Sequence, residues 1–473
     1  MNASLMSCLG WHFILTMVKN MTAGNPSRLI LGFAWPLILG SILQQGYNLI
    51  DAVLVGHFVG VNALAAVGAG SSVIFLILGF CNGCTGGFGI PIAQSFGAGD
   101  HSGLRRYVSA SFRVSIAISL AVAAVTALLC SDILHWMQTP DVIFHDAWLY
   151  LLITFLGIPF TMAYNLLASI IRALGDSRTP FYFLILSAVL NVALDLLFIL
   201  ACGWGAAGAA VATVISQGVS ALLCYIYMYR HFEILRYRSA DEKANDWERQ
   251  KRLLSIGLPM GLQFSITAIG SIMLQSANNA LGTASVTAFT VAMRIKMFFI
   301  SPCENLGVAM ATYCGQNYGA GKMERIRSGL YSALGMTFLY VILGNAVMFA
   351  FADGFTRMFV DATETAIIAK SVMYLHTSSP FWVFLGTLCV LRYSIQGLGF
   401  TRLAMMSGVF EMVARIAASL WLVPALQFKG VCLGDPLAWM AACLFLIPAM
   451  TWIYRRTLHP EGLHGQRIPV GQH

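Results

Sequence analysis

The sequence predicts an all-α polytopic membrane protein with twelve transmembrane helices in two pseudo-symmetric six-helix bundles. Three observations carry this. Only 10% of the 473 residues are charged and 58% are hydrophobic, with a mean hydropathy of +0.74, whereas a soluble domain carries roughly 25% charge. Twelve apolar stretches are each long enough to cross roughly 30 Å of hydrocarbon. The second half of the chain also repeats motifs of the first at an offset of 222 to 224 residues. These properties exclude disordered, fibrous and nucleic-acid-binding classes.

Residues 1–28 form an N-terminal segment whose run Trp11 to Leu15 is too short to span and lacks a basic start, so it is a poor signal peptide; Met17, followed by Lys19, is the better start. The first bundle occupies 29–229, with spans at 29–57, 63–95, 107–130, 143–171, 180–201 and 206–229. A polar stretch, 230–252, divides the spans six and six. The second bundle occupies 253–454, with spans at 253–280, 285–314, 327–351, 364–395, 402–425 and 431–454, and a tail follows at 455–473. Pro36, Pro159, Pro259 and Pro302 fall inside spans and are kink candidates, because packed neighbours can satisfy the backbone groups that proline frees. Eleven cysteines lie singly or in apolar runs, which points to free thiols.

Orientation follows from the basic residues. Alternate connections hold 21 of the 28 Lys and Arg, including Arg105, Arg106, Arg172, Arg178, the group from Arg230 to Arg252, Arg392 and Arg402; the opposite connections hold essentially Arg357 and Lys429. The positive-inside bias then puts both termini in the cytoplasm of a multi-pass cell-membrane protein.

The repeat is specific. Gln94, Gly97, Ala98, Gly99 and Arg105 fall on Gln316, Gly319, Ala320, Gly321 and Arg327; Pro36 falls on Pro259; Leu174, Gly175 and Arg178 fall on Leu398, Gly399 and Arg402. Two halves entering the membrane with the same orientation are parallel repeats, an arrangement that recurs in secondary transporters.

The run Pro36, Gln44, Tyr47, Asp51 and Gly56, the twin Gly-Ala-Gly loops, the stretch Arg172 to Pro180, and Gln316 to Lys322 together resemble the multidrug and toxic compound extrusion (MATE) family from Met21 to Arg456. The resemblance implies a V-shaped pair of six-helix lobes that exports amphipathic, often cationic compounds in exchange for inward Na⁺ or H⁺. It also implies a hinge at Pro36, where removal of a helical hydrogen bond accompanies bending of span 1.

The acids give an independent route to the coupling site. Of 20 Asp and Glu, only Asp51, Asp195, Glu304 and Glu411 fall well inside spans, with Asp435 at the mouth of span 12. Intramembrane carboxylates are costly and so are functional candidates. Asp51 and Asp195 each lie six residues from the outer end of their span, about 9 Å deep at 1.5 Å per residue, and Thr213 lies at a similar level. Asn191 precedes Asp195 by one helical turn. This set offers hard oxygen ligands for a small cation, or a carboxylate pair that shares a proton. The resemblance agrees, since the family's N-terminal cation site maps onto Asp51, Asn191, Asp195 and Thr213. The competing reading is that each polar group satisfies a neighbouring helix.

In the second half the offset places Leu274, Arg415 and Ser419 at the positions of Asp51, Asn191 and Asp195, so the acid pair is lost there. That half carries Arg294, Lys296, Glu304, Glu411 and Arg415 instead, read as a substrate-contacting or ion-pair network; Glu411 and Arg415 are spaced to pair on one helix. Cys81-x-x-Cys84 reads as packing, and His57 as an interfacial group. No phosphate-binding loop, metal-ligand cluster or nucleophile triad is recognisable. The expectation is a monomeric transporter, not an enzyme, with no cofactor and no metal beyond Na⁺ at the acid pair, whose partners are amphipathic small molecules and the lipid bilayer. The alternative is a flippase of a lipid-linked saccharide or other anionic lipid precursor, kept open by Arg294, Lys296 and Arg415.

Overall fold

The computed structural model describes residues 20–236 and 246–458; side chains of residues 48–57, 61, 62, 64, 69, 457 and 458 lie outside the description. Every regular element among the described residues is helical. In order these are α1 (Pro26–Phe58), α2 (Val61–Ala69), α3 (Ser71–Gly97), α4 (His101–Leu128), α5 (Cys130–Trp136), α6 (Asp141–Leu156), α7 (Ile158–Ala173), α8 (Arg178–Asp195), α9 (Gly205–His231), α10 (Trp247–Asn279), α11 (Thr283–Gly319), α12 (Met323–Arg357), α13 (Thr365–Ser378), α14 (Trp382–Gly397), α15 (Thr401–Ala417), α16 (Val423–Leu426) and α17 (Phe428–Ile453). Among the described residues ten helices are long and apolar enough to cross a membrane, or eleven spans where α6 and α7, bent by 43°, count as one.

Three expected spans are interrupted. The stretch expected at 63–95 breaks at Gly70, where a Cβ would strike Leu151. The span 143–171 bends between Leu156 and Ile158, immediately before Pro159, which cannot donate to the preceding turn. The span 364–395 is two helices joined by a tight turn, Ser379–Phe381, that contains Pro380. Helices run unbroken through Pro36, Pro259 and Pro302. The ten described cysteines are free thiols, Cys81 and Cys84 buried among them. The side chains of Asp51 and His57, and the whole of residues 1–19, lie outside the described residues.

The chain divides into two compact units, Met1–Gly261 and Leu262–His473. In the first, α3 packs on α7, α7 on α9, α8 on both α9 and α1, around a core that includes Leu104, Leu151, Phe155, Met162 and Ile170. The start of α10 belongs to this unit: Gly257 and Gly261 lie against Gly83 and Gly87 of α3, so close that a Cβ on Gly87 would fall 2.6 Å from the Gly257 Cα. Small residues four apart on both helices permit that approach. In the second unit α11 packs on α14, α12 and α13, and α15 on α17.

The repeat is visible in backbone geometry. After α3 and α11 the chain turns through left-handed glycines at Gly99 (φ +70°) and Gly321 (φ +68°); after α7 and α14 it does so at Gly175 (φ +90°) and Gly399 (φ +94°). Each glycine N–H caps the preceding helix, to Phe96, Tyr318, Arg172 and Gln396 respectively. A side chain with a Cβ is strained in that conformation, which accounts for glycine at all four sites.

Candidate functional site

In the first unit the site is built on one face of α8. Asp176 sets the start of that helix by accepting the N–H groups of Arg178 (2.9 Å) and Thr179 (3.0 Å) and the Thr179 hydroxyl (2.6 Å). From there Ser187, Asn191 and Asp195 recur at every fourth position and so share a face; all three are buried, Asp195 completely. The Asn191 Nδ2 donates to Thr213 Oγ1 of α9 at 3.2 Å, and the Thr213 carbonyl accepts from Ser216 Oγ. Immediately after Asp195 the helix widens into a π-helical turn, Leu196–Ala201, a local geometry often found at functional positions.

One turn from Asn191, the same face opens into a narrow pocket between α1, α8 and α9, lined by Leu43, Gln44, Tyr47, Leu184, Ser187, Ala188 and Gln217. Gln217 Oε1 is buried with no hydrogen-bond partner among the described residues. Thus Asn191 is bonded to Thr213 and Asp195 lies one turn along the same face of α8, while the pocket adds Ser187 and Gln217 to Gln44 and Tyr47 of the run that precedes Asp51. Asp51 sits on α1 one turn beyond Tyr47, which places its backbone on the helix that walls this pocket. No cluster of three or more His, Cys, Asp or Glu suited to a metal ion occurs among the described residues.

The second unit holds a chain of buried ion pairs. Lys296 Nζ of α11 lies 2.5 Å from Asp435 Oδ2 and 2.9 Å from Tyr374 Oη, and the Tyr374 hydroxyl also donates to Asp435 Oδ2. Asp435 Oδ1 accepts from Arg415 Nε at 2.9 Å. Arg415 Nη2 lies 3.5 Å from Glu411 Oε2, and Glu411 Oε1 is paired with Arg392 Nη2, whose Nε donates to Ser407 Oγ. The ammonium of Lys296 also stands over the rings of Tyr374 and Trp439. Alternation of sign along Lys296, Asp435, Arg415, Glu411 and Arg392 is what makes such burial tolerable.

Two expectations are corrected here. Arg392 was counted with the polar connections, yet it lies inside α14, 9% exposed, and pairs with Glu411; a short apolar helix flanked by Gly and Phe draws it into the bundle because Glu411 awaits it. The ion-pair reading of the second-half set does not extend to Arg294 and Glu304, which are exposed and make no hydrogen bond or ion pair among the described residues. Arg294 is two residues from Lys296, hence on the far side of α11, and Glu304 lies only within electrostatic reach of Arg392 and Lys296. Asp435, Tyr374 and Arg392 take their places. The signal was present for Asp435, an acid at a span mouth.

Comparison with known proteins places this architecture. The MatE family profile matches residues 36–197 and 256–421, one block in each half. The chain belongs to the MATE family. Among its relatives are a probable multidrug resistance protein, YpnP, of Bacillus subtilis, 29% identical over 80% of this chain and 84% of the relative, and the multidrug export protein MepA of Staphylococcus aureus, 23% identical over 80% and 84%. The fold matches that of a multidrug resistance MATE transporter of the MOP superfamily solved in an outward-facing conformation, with a TM-score of 0.87, 24% identity, and coverage of 94% of this chain and 99% of the other. This MATE protein is therefore a multi-pass membrane protein of a drug-efflux transporter family.

Proposed function

We propose that this MATE protein is a secondary active antiporter of the cell membrane, with both termini cytoplasmic, that exports amphipathic cationic compounds in exchange for inward Na⁺ or H⁺. The observation that carries the reading is Asp195, a carboxylate completely buried in a spanning helix beside the Asn191–Thr213 pair. Burial takes water away from a carboxylate, and uptake of a cation or a proton offsets that cost. Asp51, on α1, supplies the second acid; two acids in one site repel when both are ionised, which favours a cation or a shared proton.

The wall that begins at Ser187 is the proposed substrate-contacting surface, apolar at Leu43, Leu184 and Ala188 and polar at Gln44, Tyr47 and Gln217. That mixture suits an amphipathic guest. A cationic substrate one turn from the acids feels their field; ion uptake removes it, and linkage makes the antagonism reciprocal. Glu304, exposed on α11, is the acid of the second unit available to a cationic substrate. The flippase alternative is the weaker reading, because two of the three cations that favour it, Lys296 and Arg415, are engaged by Asp435 and Glu411 and only Arg294 is left to an anionic lipid.

The test is transport of ethidium in liposomes under an imposed Na⁺ gradient and, separately, an imposed pH gradient. Asp51→Asn and Asp195→Asn should each lower coupled export at least about tenfold with normal insertion, since loss of a charge reduces the insertion cost. Wild-type export by both variants under either gradient would overturn the site.

A further inference from the structure

The repeat relates the two polar clusters position by position. At an offset of 224, Ser187, Asn191 and Asp195 of α8 become Glu411, Arg415 and Ser419 of the helix that begins as α15, and a π-helical turn lies close by in each, Leu196–Ala201 just after Asp195 and Ala418–Leu422 around Ser419. In the first unit Asn191 reaches across to α9 and bonds Thr213. In the second, Arg415 reaches across to α17, the counterpart of α9, and bonds Asp435. What is a neutral amide beside an acid in one unit is a guanidinium between two acids in the other.

We propose that Arg415 is a tethered cation: it permanently fills, in the second unit, the repeat position at which the first unit exchanges its coupling ion, so that each transport cycle moves ions through the first unit alone. The proposal rests on the antiport reading above. Its physical basis is charge balance. Lys296, Arg415 and Arg392 face Asp435 and Glu411, all five buried, so three formal positive charges already stand against two negative ones. A further Na⁺ or proton would add to that positive excess in a medium where an unbalanced charge is costly. Both acids also have their oxygens directed at fixed donors: Asp435 Oδ1 and Oδ2 at Arg415, Lys296 and Tyr374, Glu411 Oε1 and Oε2 at Arg392 and Arg415. A mobile ion finds no free oxygen pair there.

The test removes the tether. Purified full-length Arg415→Ala has a guanidinium-sized vacancy between Asp435 and Glu411, and millimolar guanidinium chloride should raise its Tm by roughly 2–4 °C relative to choline chloride of equal concentration, as a ligand bound only by the folded state does. Wild-type protein, whose site is filled, should show no such difference. Equal responses of the two proteins overturn the proposal. Should Arg415→Ala fail to fold even when purified in guanidinium, the wild-type ion count decides, read from the reversal potential of ethidium-coupled flux in liposomes. That count should equal the number lost on Asp195→Asn, and coupling that survives in Asp195→Asn but disappears in Asp435→Asn would overturn the proposal. Failure of the antiport reading is distinguishable, because the guanidinium response needs no transport.

Discussion

Asp435 is the residue on which the second unit turns. Two cationic side chains and a phenol hydroxyl converge on its carboxylate from three helices, at 2.5 to 2.9 Å. Removing one member of a buried pair costs more than the pair contributes, because the partner is left charged and dry. Asp435→Asn should therefore lower stability by about 3–5 kcal/mol, and Lys296→Met added to it should recover part of the loss. Thermal unfolding of the two single variants and the double variant checks this; strict additivity would mean that the two groups do not interact. Glu411→Gln should also destabilise, since Glu411 faces Arg392 as well as Arg415. The pairing of Glu411 with Arg415 was legible in the sequence, because helical spacing brings residues four apart together. The reach of Arg392 was not: its partner lies nineteen residues away on another helix, and hydropathy alone assigns an Arg near a span end to the water.

Among the elements, the crossing of α3 with the start of α10 has the least tolerance. Gly87→Ala should lower Tm, because its new methyl group meets the Gly257 backbone, whereas Gly335→Ala in α12 meets nothing within 4 Å and should be neutral or slightly stabilising. A Gly87→Ala protein as stable as the wild type would show that the two helices separate at no cost. The α1 helix poses a different question. It passes through Pro36 without a break, yet Pro36 still removes one hydrogen bond about 22 Å before Asp51. If bending at Pro36 accompanies release, Pro36→Ala should slow ethidium export while leaving insertion and Tm intact; unchanged export would remove the hinge from the mechanism. The unbroken helix at Pro36 and the 43° bend beside Pro159 differ for a tertiary reason. A proline inside a long helix leaves one carbonyl unpaired and the helix continues, whereas Gly157 precedes Pro159 and adds a residue with little preference for the helix.

On the scale of the whole molecule, composition and order along the chain determined the membrane class, the helical content and the duplication. They suffice because the lipid interior admits only backbones that satisfy their own hydrogen bonds, and because repeated glycine turns need the same residue wherever they recur. The acids Asp195, Glu304 and Glu411 were legible as candidates for the same reason, since charge inside an apolar span is rare whatever its neighbours. Tertiary structure alone decided which of them are balanced. It buried Asp195 beside Asn191 and Thr213, tied Glu411 to two arginines, and left Glu304 exposed on α11. It also divided the chain at Gly261 rather than within the polar stretch 230–252, because the start of α10 packs glycine to glycine against α3. Hydropathy measures the transfer of each residue into an apolar medium one at a time, whereas ion pairing and close helix approach depend on two residues far apart in the chain meeting in space.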